Sequence, residues 1–448
     1  MTAAELSGPI TVGRLLAPAS PVAVDLEGAG YVEEEFVASG ISTSFRAPLG
    51  LGADGRWSVV PDERAEYRTR LVVRRPATEP GFNGTVVVEW LNVSGGIEAC
   101  PDWSYVGEEI VRQGYGYVAV SAQALGVDGG AGLVDTGFPG SGLRHRSPER
   151  YGALHHPGDR FSFDLYGQVA AALLDGHGGG ALGPLRPEIV LGVGESQSAM
   201  FLTSYVNALS RVHGVFDGFF VHSRGGGAAS LTGVPTGDDA PRVVHIRDDL
   251  EVPVFVFETE TDLGERLGYG RARQPDTDRF RAWEVAGTAH GDAFLVGSMA
   301  HLLGCEGRIN DGPHHVVAMA ALRALRRWVV DGTPPPEAAP LLLASQDPPV
   351  LSRDALGNAR GGVRTPDVDA PLATLSGEAP PGASVVCSLF GQTTPFDRAT
   401  VVRLYGDEAG YVAAYERALE TAVAGGFVLP EDGDGLARRS RRFRLPAA

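Results

Sequence analysis

Hydrophobic and polar positions change their period along the chain. Up to residue 80 the apolar stretches are short and separated by turn residues. Residues 10–16, 31–39 and 67–73 read as strands, the last halted by Arg74-Arg75-Pro76, and antiparallel pairing is expected of them. From residue 83 the stretches lengthen. Thr85-Val-Val-Val-Glu-Trp-Leu91 is the near-continuous apolar run of a strand buried on both faces. A helix that Asp102 and Ser104 can cap follows to about residue 113, then a strand at 117–121 and a Gly-rich loop at 126–142.

The alternation continues with a helix from Asp159 to about residue 175, a strand at 188–193, a helix at 197–209 and a strand at 218–222. Two more strands are expected at 252–257 and 282–285, and a strongly periodic helix at 314–330 ends at Asp331-Gly-Thr-Pro-Pro-Pro336. Strands and helices in alternation specify an α/β fold with a mostly parallel sheet, helices on both of its faces and antiparallel strands at the N-terminal end. Residues 1–340 form the core with its inserts, of which 223–250 is a candidate lid. Residues 341–448 are loop-rich with one good helix at 408–424, and read as an extension packed on the core.

One junction carries chemistry. Gly194-Glu195-Ser196-Gln197-Ser198 lies between the 188–193 strand and the 197–209 helix. In a nucleophile elbow a serine sits on a tight strand-to-helix turn, and small residues are needed two positions either side of it. Ser198 stands where the usual pattern has glycine. A bland alternative is a helix N-terminus merely capped by Ser196 or Ser198.

A serine hydroxyl needs a base, and the base an orienting acid. Both follow in the order this fold uses. The 252–257 strand leads into Glu258-Thr-Glu-Thr-Asp262, and the 282–285 strand into Ala286-Gly-Thr-Ala-His290. His290 is the expected base and Asp262 the preferred acid, with Glu260 as the alternative. His222, His314 and His315 are weaker rivals for the base, His222 because it precedes the acid. The oxyanion would be held by the backbone N–H of Gln197 and by a second donor, Val93 or Asn92, from the loop at 92–96. Trp90, Trp103 and His222 are candidate pocket residues, Trp90 with a core role as the alternative. Arg144 and Arg224 could bind a carboxylate, surface solvation being the plainer reading of both.

Composition narrows the chemistry. All 38 basic residues are arginine, so Schiff-base catalysis, a P-loop lysine and a Ser-Lys dyad are excluded. A net charge of −17 disfavours nucleic acid and anionic membranes as partners. Cys100, Cys305 and Cys387 match no zinc or disulfide framework; free buried thiols are expected, with a single bridge, for example Cys100 to Cys305, as the alternative. The N-terminus has no secretory pattern and no segment reaches the length of a membrane span, so a cytoplasmic protein is expected. The sequons at Asn83 and Asn92 are then chance matches.

With these residues in hand, the chain resembles the little-characterised "alpha/beta hydrolase domain" proteins of bacteria and fungi. The likeness rests on Val86–Gly96, His156–Asp164, the Gly-Glu-Ser-Gln-Ser elbow, Glu260-Thr-Asp262, Ala286–His290 and Gly357–Arg364. It covers nearly the whole chain, including the C-terminal region. The resemblance implies the hydrolase fold and a triad of Ser196, Asp262 and His290. It supplies no substrate, and the family's elbow commonly carries serine where Ser198 stands. The leading expectation is a serine esterase acting on a small-molecule ester with no metal or organic cofactor. Acyl transfer by the same triad, and a non-catalytic binding homologue, are the alternatives.

Overall fold

Long apolar runs become the interior strands in the computed structural model, which describes residues 1–134, 140–174, 180–235, 237 and 239–445. Residues 135–139 of the predicted Gly-rich loop and residue 175 of the predicted helix lie outside the described residues. Two compact units emerge: residues 1–256 with 272–280, and residues 257–271 with 281–448.

The first unit holds strands β1 (Glu5–Ser7), β2 (Tyr31–Arg46), β3 (Val60–Pro76), β4 (Thr85–Trp90), β5 (Gly116–Val120), β6 (Ile189–Glu195) and β7 (Gly218–His222), in sheet order β1-β2-β3-β5-β4-β6-β7. β4 runs parallel to β5 and to β6, and β6 parallel to β7. The first three strands pair antiparallel, as their alternation predicts. The predicted strand at 10–16 does not form; the short β1 precedes it instead. Every residue of β4, β5 and β7 is buried, which explains why their sequences lack alternation.

Helices α1 (Pro101–Gln113), α2 (Ser162–Leu174) and α3 (Gln197–Ala208) belong to the same unit. Trp90 of β4 packs its ring against Phe163 and Tyr166 of α2 and Phe201 of α3, with centroids 4.9–5.8 Å apart. The long β2–β3 hairpin is pinned by a buried ionic network. Arg70 lies 3.0 Å from Glu35 and also pairs with Glu98, while Arg150 and the Tyr151 hydroxyl reach Glu35. Neither Arg70 nor Glu35 is exposed, so the pairs and their hydrogen bonds must compensate a large desolvation cost.

Strand β8 (Val254–Thr259) begins in the first unit and ends in the second, where its last residues lie beside β9 (Phe280–Val285). The second unit adds helices α4 (Glu260–Leu263), α5 (Ala293–Val296), α6 (His314–Asp331), α7 (Arg398–Tyr405), α8 (Glu408–Ala424) and α9 (Pro430–Arg441). The C-terminal region is thus more helical than its loop-rich sequence suggests. Asp397 caps α7 through the Thr400 amide, and Pro430 opens α9. Tyr411, Tyr415, Leu419 and Leu436 share an apolar cluster with Val316 of α6. A disulfide joins Cys305 to Cys387, 82 residues apart, and Cys100 remains a buried free thiol. The preference for free thiols is corrected there: a single bridge forms, and it joins Cys305 to Cys387 rather than Cys100 to Cys305. Among the described residues no helix is long and apolar enough to cross a membrane.

Candidate active site

In the first unit, β6 delivers Ser196 to the start of α3. Ser196 has φ 59° and ψ −120°, one of two non-glycine residues with positive φ among those described. A serine there is strained, because Cβ crowds the backbone on that side of φ. The strain is held by neighbours. The Ser196 N–H donates to the His222 carbonyl of β7 at 2.9 Å, and the Met200 N–H to the Ser196 carbonyl at 3.1 Å. A Cβ on Gly194 would stand 3.2 Å from the Ser198 carbonyl, a tight contact that a larger residue could make only if the turn gave way by a few tenths of an ångström. Ser198 is accommodated in place of glycine because its hydroxyl folds back onto the Glu195 carbonyl at 2.7 Å. Between Val190 and Ala199, Ser196 alone is not fully buried.

The loop after β4 is tied to this elbow by side chains. Asn92 Nδ2 donates to the Glu195 carbonyl at 3.1 Å, while its backbone N–H is spent on the Ala99 carbonyl at 3.0 Å. Asn92 therefore braces the elbow and does not offer its amide as a donor. Its near-complete burial also leaves no room for a glycan. The Val93 N–H faces the Gln197 side-chain oxygen at 3.4 Å. The Gln197 amide, first in α3, lacks an intrahelical acceptor by position.

The residues expected to line a pocket are all buried. Trp90 is fully buried in the cluster of β4, α2 and α3, and Trp103 packs on Tyr117 with the Arg74 guanidinium 4.2 Å from its ring. His222 is fully buried with Nδ1 2.8 Å from Asp102. Burial of these aromatic and imidazole groups follows from their positions on or beside fully buried strands. Burial drives the carboxyls of Asp102 and Glu89 well above the usual range, and Glu89 also feels the Asp102 charge. Arg224 is buried too, donating to the Val244 carbonyl at 2.6 Å, so surface solvation does not describe it. Arg144 pairs with Asp128 at 2.8 Å. The 223–250 insert has no helix or strand among its described residues and is fixed to α3 by the Ala229 N–H donating to Met200.

In the second unit, three consecutive residues hold the loop that bears His290. Asp262 Oδ1 lies 2.7 Å from His290 Nδ1. Because a carboxylate can only accept here, Nδ1 carries the proton and Nε2 is left as the basic atom. Asp262 Oδ2 accepts the Thr259 N–H at 2.6 Å and its hydroxyl at 2.7 Å, which orients the carboxylate. Burial pushes the Asp262 carboxyl up, but His290 and the Thr259 donors outweigh it and hold it below its usual 3.8. Thr261 receives the His290 N–H at 3.1 Å and donates to the Gly377 carbonyl at 2.7 Å.

Glu260 points elsewhere. Its carboxylate accepts the N–H groups of Gly287 at 2.6 Å and Gly377 at 3.0 Å and meets Arg353 at 3.2 Å. It braces the loop without touching His290 through any of these bonds. Sequence reasoning missed Thr259 and Thr261. The pattern Thr259-x-x-Asp262 was a visible signal for the first, since it is a capping box. His314 is buried with its ring stacked on Phe257, and His315 stacks on Phe294.

A parallel α/β sheet with a strained serine between strand and helix defines a protein of the α/β-hydrolase class. The chain belongs to the alpha/beta hydrolase domain family, whose sequence model matches residues 6–438. A search of curated protein sequences gives no match. Solved structures similar to this chain include a glucuronoyl esterase from Solibacter usitatus, at 12% identity over 63% of this chain and 85% of that one, with a TM-score of 0.29. An α/β serine hydrolase without a lid from Xanthomonas campestris matches at 12% identity over 59% and 90%, with a TM-score of 0.29. A dienelactone hydrolase-like promiscuous phosphotriesterase from metagenomic libraries matches at 13% over 64% and 95%, with a TM-score of 0.31. Likenesses of that size assign no substrate.

Proposed function

We propose that this protein is a serine hydrolase that cleaves carboxylic esters of small molecules. The observation that carries the reading is the Ser196 backbone at φ 59°, a strain that the fold tolerates at its nucleophile. In the proposed reaction Ser196 Oγ bonds to the ester carbonyl carbon while its proton passes to His290 Nε2. Asp262 keeps the imidazole in the required tautomer and stabilises the imidazolium. The backbone N–H groups of Gln197 and Val93 hold the oxyanion. Collapse breaks the bond to the alkoxide, which takes the proton from His290. Water, deprotonated by His290, then attacks the acyl-enzyme, and Ser196 leaves with its proton restored.

Esters are favoured over amides because an alkoxide is the better leaving group. Acyl transfer, with an alcohol replacing water in the second step, uses the same residues, and the ratio of transfer to hydrolysis products separates the two. The reading is tested with a series of p-nitrophenyl esters of rising chain length. Unmodified protein is expected to turn over at least one of them, while Ser196→Ala and His290→Ala of unchanged fold do not. Equal turnover by Ser196→Ala would refute it.

A further inference from the structure

The Gln197 side chain sits in a polar relay whose orientation is fixed at both ends. The Trp90 indole N–H, which can only donate, lies 3.2 Å from Gln123, so the atom it meets is the amide oxygen. At the other end of the same side chain the Gln123 Nε2 donates to Asp159 Oδ2 at 3.2 Å, and Asp159 Oδ1 accepts the Ala124 N–H at 2.6 Å. The Gln197 group 2.9 Å from the Gln123 oxygen must then be its NH2. That leaves the Gln197 oxygen directed at the Val93 N–H, 3.4 Å away. Trp90, Gln123, Val93 and Gln197 are all buried, so no amide in this relay is free to rotate into water.

The consequence concerns Val93. Of the two candidate donors of the β4 loop, Val93 and Asn92, it is the one left for an oxyanion, since the Asn92 N–H is engaged by Ala99. Resting on the reading of Ser196 as nucleophile, we infer that the Gln197 side-chain oxygen is a stand-in acceptor. It occupies the Val93 N–H in the free enzyme and gives it up to the substrate carbonyl oxygen. A buried N–H without an acceptor is costly, so an enzyme holding one ready needs a temporary partner. At 3.4 Å the bond is longer than the usual 2.9–3.0 Å, so exchanging it for a developing negative charge is favourable. The residue whose backbone supplies one oxyanion donor thereby guards the other. Gln197 is on this account a positioning residue that tunes affinity for the carbonyl oxygen.

The test uses the full chain and two variants. Labelling of the unmodified protein by a fluorophosphonate comes first; its failure sinks the nucleophile assignment, a result distinguishable from any effect of the variants. Gln197→Met removes the acceptor at similar size. It is expected to lower KM for a p-nitrophenyl ester, and Ki for a trifluoromethyl ketone that forms a tetrahedral oxyanion, by about 2- to 10-fold. Gln197→Glu replaces the acceptor with an anion that holds the Val93 N–H more tightly and repels the oxyanion. Its kcat/KM at pH 8 is expected to fall about 10²- to 10³-fold, the size of losing one donor. The ratio to unmodified protein should recover toward pH 5 as the new carboxyl protonates.

Gln197→Glu within about threefold of unmodified protein at pH 8 overturns the inference, against the 10²-fold or greater loss that a blocked donor brings. So does Gln197→Met with a raised Ki. Thermal unfolding of each variant monitors the fold, and if Gln197→Glu does not fold, the direction of Ki in Gln197→Met decides alone.

Discussion

At Glu260 and Asp262 two carboxylates follow the same strand two positions apart, and a helical turn sends them to different partners. Residues i and i+2 on a helix do not share a face, so a single turn cannot aim both at one imidazole. Asp262 goes to His290 and Glu260 to the amides of Gly287 and Gly377. Their environments also oppose each other. Asp262 is held below its usual 3.8, because the His290 and Thr259 contacts outweigh burial. Glu260 is raised above its usual 4.5 by burial, with Arg353 and the glycine amides only partly offsetting it.

The signs of their contributions to stability follow from linkage. Asp262, depressed, contributes stability above its unfolded pKa that is lost as pH falls through its folded one. Glu260, raised, contributes stability that is full below its unfolded pKa and is lost as pH rises. We therefore expect the stability deficit of Asp262→Asn to persist from pH 7 to about 4 and to close below that. The deficit of Glu260→Gln should widen as pH falls toward 4.5, because only the unmodified protein gains by protonation there. Urea unfolding across pH checks both trends. In activity Asp262→Asn is expected to lose about 10⁴ in kcat, as when an orienting acid is removed from a triad. A smaller loss in Asp262→Asn than in Glu260→Gln would assign the acid role to Glu260.

Elements marked by a continuous apolar run or by a helical period were legible in the sequence, and polar extensions of strands were not. The strand at 218–222 and the helix at 408–424 appear with their predicted bounds, because burial or period marks them from end to end. β2 and β3 run much further than the sequence suggested, since their outer halves are polar and extend as a hairpin. The interior Arg70 and Glu35 of that hairpin were equally hidden, because charged residues on a strand read as solvent-facing until a partner is seen. Their pairing gives a test at this scale. Arg70→Ala leaves Glu35 without that partner, and is expected to cost about 3–5 kcal/mol in chemical denaturation. A cost under about 1 kcal/mol, the range of surface pairs, would show the network to be dispensable. The burial of Trp90, Trp103 and His222 was hidden for a related reason. Sequence reveals that a side chain is large or basic but not which side of a buried strand or helix it serves.

Across the whole molecule, the turn at Ser196 and the pairing of Asp262 with His290 were readable because each is marked locally: a strand, a turn and a helix, then two later strand ends. The disulfide was not, since Cys305 and Cys387 are 82 residues apart and no short-range signal joins them. Closing a loop of that length constrains the unfolded chain, and its loss is expected to cost about 2–4 kcal/mol. Cys387→Ser and a reducing agent should lower the melting temperature alike, and no change in either would mean the crosslink does not form in solution. Such a bond persists in oxidising surroundings, so the same measurement under reducing conditions bears on the cytoplasmic expectation.

The central claim is that Ser196 is a nucleophile, and covalent labelling tests it most directly. Unmodified protein treated with a fluorophosphonate should gain one adduct, placed at Ser196 by peptide mass mapping, with Ser196→Ala gaining none. An unlabelled native protein, or an adduct that persists in Ser196→Ala, would contradict the account.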